Sequence, residues 1–122
     1  MITEEQALEL AKDPHKIIDP ETCNLVLGYL NGAITDLAME EFDLENQANN
    51  YHFMLVGQEG RTVAYREAEY KASEPYKKWK AAQLELRKLR GFRQVLRKKE
   101  ELLQSSTDYI RKNYNSYPRA IP

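Results

Sequence analysis

The chain has 122 residues, 42% of them hydrophobic and 30% charged, and its 18 Lys and Arg against 19 Asp and Glu leave a net charge of −1. That length suits one domain, residues 1–122, and five Gly and five Pro without a low-complexity run argue against disorder. No apolar run nears the roughly 20 residues that cross a bilayer, the N-terminus lacks a signal-type h-region, and Cys23, His15 and His52 offer neither an internal disulfide nor metal spacing; a cytoplasmic protein without membrane, metal or cofactor is expected.

In chain order, Thr3 and Gln6 form a capping-box pattern that opens a short helix over residues 4–12, ended by Asp13 and Pro14; residues 1–18 make up this helix and its linker. Asp19 then stands as an N-cap before Pro20, a residue suited to a first helical turn because its missing N–H has no intrahelical role there. The acidic long helix that follows is expected over residues 19–56. Leu27, Leu30, Ile34, Leu37, Glu41, Leu44, Ala48, Tyr51 and Leu55 recur along it at steps of three and four, a heptad seam with Glu41 as its polar intruder. Gly28 and Gly32 each weaken such a helix by roughly 1 kcal/mol relative to Ala, so a close helix crossing is expected there.

Gly57 and Gly60 mark the hairpin tip, and a short helix is expected over residues 61–74. Ser73, Glu74 and Pro75 signal either a kink or a break; a short break is preferred, because proline disfavours helical geometry in the residue before it. The basic long helix spans residues 75–113, with Trp79, Ala82, Leu86, Leu89, Phe92, Leu96, Leu103 and Ile110 on one stripe. Residues 114–122 read as an extended tail. The expected fold class is all-α: a long antiparallel helical hairpin or coiled coil with a short N-terminal helix and an extended C-terminal tail. It is expected to form a homo-oligomer through the seam of Leu27, Leu30, Ile34, Leu37, Glu41, Leu44, Leu86, Leu89, Leu96 and Leu103.

The small net charge conceals a separation. Residues 1–60 hold two basic and twelve acidic side chains, whereas residues 61–122 hold sixteen basic and seven acidic ones. Between residues 77 and 99, Lys77, Lys78, Lys80, Arg87, Lys88, Arg90, Arg93, Arg97, Lys98 and Lys99 face a single acid, Glu85. Tyr76, Trp79 and Phe92 lie among them, and cations with stackable rings suit single-stranded nucleic acid. Two other readings stand beside that one: pairing with the acidic helix that a hairpin brings alongside, and docking on an acidic protein surface. Glu41 on the seam needs a cationic partner if it is buried there, and Arg93 is a candidate. The acids Glu40, Glu41, Asp43 and Glu45 lack the ligand alternation of a calcium loop and the Glu-x-x-His companion of a carboxylate metal site. There is no phosphate-binding glycine loop and no nucleophile elbow, and Cys23 with His15 is too thin for a nucleophile and base, so a non-enzyme is expected. His15 and His52 read as ordinary surface or interface side chains.

Residues 60–73, Gly60-Arg-Thr-Val-Ala-Tyr-Arg-Glu-Ala-Glu-Tyr-Lys-Ala-Ser73, followed by Tyr76 and the Arg/Lys-rich helix, resemble small helical proteins of bacteriophage early or recombination modules. The layout is similar to that of UvsY-type recombination mediators. The resemblance implies a DNA-binding accessory factor of DNA recombination or replication in the host cytoplasm, which oligomerises, holds single-stranded DNA on its basic helix and helps a recombinase. The competing expectation is a protein-protein interaction module, such as a phage-encoded inhibitor or adaptor of a host protein.

Overall fold

A computed structural model describes the backbone of residues 2–116 and the side chains of residues 2–106. It is all-α, with four helices: α1 (Glu4–Lys12), α2 (Pro20–Val56), α3 (Val63–Ala72) and α4 (Glu74–Ser116), the long α2 and α4 packing antiparallel. A 3₁₀ turn at Pro14–Lys16, which the sequence reading did not anticipate, joins α1 to the linker. The expected helical hairpin is therefore present. Residues 117–122 of the expected tail lie outside the described residues, whereas Tyr114 to Ser116 continue α4.

The helix ends follow from local chemistry. Thr3 accepts from the Gln6 N–H while the Gln6 side chain accepts from the Thr3 N–H, so two donors that the first turn of α1 leaves open are satisfied reciprocally. Asp19 caps α2 by accepting from the N–H and hydroxyl of Thr22, each at 2.9 Å. Gly57 to Thr62 separates α2 from α3, with Gly60 at φ 81°, a left-handed conformation that glycine adopts without a Cβ penalty. Arg66 holds this turn by donating to the Val56 carbonyl at 3.0 Å and to the Gln58 carbonyl.

Between α3 and α4 the break is one residue long. Ser73 is extended (φ −75°, ψ 152°), its hydroxyl donates to the Tyr70 carbonyl at 2.5 Å, and the same oxygen accepts from the Tyr76 N–H at 3.4 Å. It thus closes one helix and opens the next, leaving Pro75 in a first turn where no N–H is required.

The chain divides into two compact units, Met1–Asn31 with Gly91–Pro122, and Gly32–Arg90. In the first, Ala7, Ala11, Ile17, Cys23, Val26, Leu27, Leu30 and Leu96 are buried, and the Cys23 thiol donates to the Leu96 carbonyl at 3.5 Å. The second buries Ile34, Ala48, Leu55, Tyr70, Ala82 and Leu86. Leu37, Glu41, Leu44, Leu89 and Leu103 are half-buried, so the seam residues are taken up within the chain itself and offer little surface to a second copy. The close crossing expected at Gly28 and Gly32 is not found: a Cβ built on either meets nothing within 4 Å. Tertiary packing of the opposite face of α2, where Leu27, Leu30 and Ile34 are buried, carries the helix through both glycines.

Candidate nucleic-acid interface

Of the ten basic residues between 77 and 99, Lys77, Lys78, Lys80, Arg87, Lys88, Arg90, Arg97 and Lys98 are exposed, while Arg93 and Lys99 are half-buried. Helical rotation explains the exposure. At roughly 100° per residue, Lys77 and Lys88 lie within about 40° of the direction opposite the buried Leu86, and Lys80 and Arg87 lie on one shoulder of that outer face. The carboxylates of α2 divide similarly, Asp36, Glu40 and Asp43 being exposed and Glu41 and Glu45 half-buried. Among the described residues the salt bridges are Lys12 to Glu9, Lys16 to Asp13, His52 to Glu67 and Arg61 to Glu69. None joins the basic run of α4 to the acids of α2.

Glu41 bonds to α4, and its partner is not Arg93. The Trp79 indole N–H donates to its carboxylate at 2.9 Å, and beside that bond Glu41, Gln83, Leu86, Arg87 and Arg90 line an open recess of about 290 Å³. Arg93, in the other unit, donates instead to the Asn31 side chain at 3.3 Å. A half-buried carboxylate needs a donor more than a full opposite charge, and the indole supplies one without bringing a second ion out of water.

Trp79 belongs to an aromatic cluster. The His52 ring stacks on Tyr70 at 4.1 Å and an interplanar angle of 11°, Tyr70 meets Tyr76 edge-on at 4.9 Å, and Tyr76 meets Trp79 edge-on at 6.0 Å. Tyr51, Tyr76 and Trp79 pack against the buried Ala48, Leu55 and Tyr70. The Lys80 ammonium lies 4.3 Å from the Trp79 ring centroid. Trp79 is thus half-buried, with its N–H engaged. His52, read from the sequence as an ordinary surface or interface side chain, ties α2 to α3 through Glu67 at 3.0 Å. The positions of His52, Tyr70 and Trp79 on three helices carry no shared period, so only packing brings them together. Burial raises the pKa of the Tyr70 hydroxyl, with Tyr76 adding to the effect.

Outside this region, Cys23 is a buried free thiol, its pKa raised chiefly by burial and further by Glu100. Among the described residues no three His, Cys, Asp or Glu side chains converge to hold a metal ion, and no helix is long and apolar enough to cross a membrane. Large apolar side chains are exposed around the turn from α2 to α3, among them Phe53 (82%) and Val63 (74%). Comparison with known protein families, with curated proteins and with solved structures gives no match.

Proposed function

We propose that this chain is a non-enzymatic accessory protein that binds single-stranded nucleic acid through α4, in a recombination or replication setting where it associates with further copies of itself and with a recombinase. What supports the reading is that, among the described residues, no salt bridge joins the exposed cations of α4 to the carboxylates of α2. In Gly32–Arg90 these are Lys77, Lys78, Lys80, Arg87, Lys88 and Arg90; in the other unit Arg97 and Lys98 are exposed with Arg93 and Lys99 half-buried beside them. Each phosphate neutralised releases condensed counterions, an entropic gain that disappears as salt rises. The cations of Gly32–Arg90 spread over more than half the circumference of α4, which a flexible strand can follow and a stiff duplex cannot. With the Trp79 ring held in the cluster, affinity rests on phosphate contacts more than on stacking.

The test is fluorescence anisotropy with a labelled single-stranded oligonucleotide at about 50 mM and about 200 mM salt. Replacing Arg90, Arg97 and Lys98 together by Ala should weaken low-salt binding and reduce the slope of log K against log salt by about 2, three contacts at roughly 0.7 each. Unchanged low-salt affinity in that variant would remove the proposal. The exposed apolar side chains near the α2 to α3 turn favour a second reading, a protein-interaction module acting as an inhibitor or adaptor of a host protein. Partners that persist on the chain after nuclease treatment of a pull-down would select it.

A further inference from the structure

Self-association needs a surface other than the seam, because the seam is occupied within the chain. The outer face of α2 in Gly32–Arg90 carries one. Met39 (67% exposed) lies nearly opposite the buried Ala48 on the helix, and Phe42 (60%) lies beside it, the two joining Ile34 and Ala38 along a shallow apolar groove. Asp36, Glu40 and Asp43 border this strip, all exposed. An apolar strip rimmed by carboxylates cannot pair with its own copy without placing like charges together.

The outer face of α4 in the same unit has the opposite rim. Leu84 (52% exposed) and the exposed Ala81 face away from Leu86, between Lys77 and Lys88 along the helix, with Lys80 and Arg87 on one shoulder and Lys78 beside the single acid Glu85 on the other. The two faces are complementary in both components, a short apolar strip on each and acids on one against five bases and one acid, Glu85, on the other.

We propose that the outer face of α2 docks on the outer face of α4 of a second copy of this chain, Met39 and Phe42 against Ala81 and Leu84, with the flanking carboxylates against lysines and arginines. The contact is heterologous. Each copy keeps one of the two faces open after pairing, so assembly grows as a chain instead of stopping at a closed dimer. The apolar strips cover about two helical turns on α2 and about one on α4, well short of a standard permanent interface, which makes association concentration-dependent and sensitive to salt. Lys77, Lys80, Arg87 and Lys88 take part both here and in the nucleic-acid reading, but the contact itself needs no nucleic acid.

The experiment measures mass by sedimentation equilibrium on the full chain, free of nucleic acid. At low salt the wild-type average mass should rise above the 14.3 kDa of one chain as concentration increases, and fall back when salt is added. Phe42→Asp spoils the α2 face and Leu84→Asp the α4 face; each alone should weaken association at least tenfold while the helical circular dichroism signal is retained. Mixed in equal amounts, the two variants each contribute one intact face and should form a one-to-one pair that stops there. Should Phe42→Asp lose its helical signal, Met39→Asp takes its place in the mixture. A wild type that stays at the mass of one chain, association indifferent to both substitutions, or a mixture that remains unpaired overturns the proposal. None of these outcomes bears on oligonucleotide affinity, so this inference and the nucleic-acid binding proposed above fail separately, although a wild type that stays at the mass of one chain also removes the self-association included there.

Discussion

Three glycines sit inside the long helices with nothing around them. A Cβ added at Gly28 or Gly32 of α2, or at Gly91 of α4, meets no atom within 4 Å, and all three are exposed. A helical glycine costs about 0.5–1 kcal/mol relative to alanine, through the entropy of the more flexible unfolded chain and the lack of a side chain to shield the backbone. With no steric penalty to set against that gain, Gly28→Ala, Gly32→Ala and Gly91→Ala combined should stabilise the chain by about 1.5–3 kcal/mol, a sizeable share of the roughly 5–15 kcal/mol typical of a domain. At about 4 °C per kcal/mol the Tm should rise on the order of 6–12 °C. Circular dichroism on heating, together with urea titration showing a raised midpoint at unchanged slope, measures it. A single substitution that lowers the midpoint would refute the reasoning, since the glycine would then be serving a close approach that these surroundings do not contain.

Trp79→Phe keeps an aromatic ring but removes the donor to the half-buried Glu41, and should cost about 1 kcal/mol in urea unfolding, while Glu41→Gln, which keeps an acceptor oxygen, should cost less. The Cys23 thiol, buried and with its pKa raised by that burial, should react with a thiol-labelling reagent at least about 100-fold more slowly in the native chain than in denaturant. The pKa of the Asp19 carboxyl lies below its ordinary value because the Thr22 N–H, and then the Thr22 hydroxyl, donate to it. The stability it contributes is therefore complete above the ordinary aspartate range and is lost as pH falls through the depressed folded value. Urea midpoints across the acid range should show that loss in the wild type and less of it in Asp19→Asn, whose amide oxygen caps without titrating in that range.

Three of the four helix starts could be read from a few neighbouring residues: Thr3 with Gln6, Asp19 before Pro20, and Ser73 before Pro75; α3 begins after its Thr62 cap, two residues beyond the expected start at 61. Capping is a bond between a side chain and a backbone group two or three residues away, so it is written in local order. The heptad steps from Leu27 to Leu55 and from Trp79 to Leu103 likewise state which face of each long helix is apolar, and two apolar faces separated by a glycine-bounded turn leave an antiparallel hairpin as the natural way to bury them.

Rotation and packing decided what those patterns leave open. Whether the lysines and arginines of α4 would meet the carboxylates of α2 depended on how each helix turns about its own axis, and burying Trp79, Ala82 and Leu86 sends Lys77 and Lys88 outward. Glu41 found the Trp79 indole instead of Arg93, and His52 found Tyr70 and Glu67, because those partners come from other helices at distances along the chain that no period encodes. A periodic sequence specifies which side of a helix is apolar; which polar group meets which is a property of side chains brought together from remote positions.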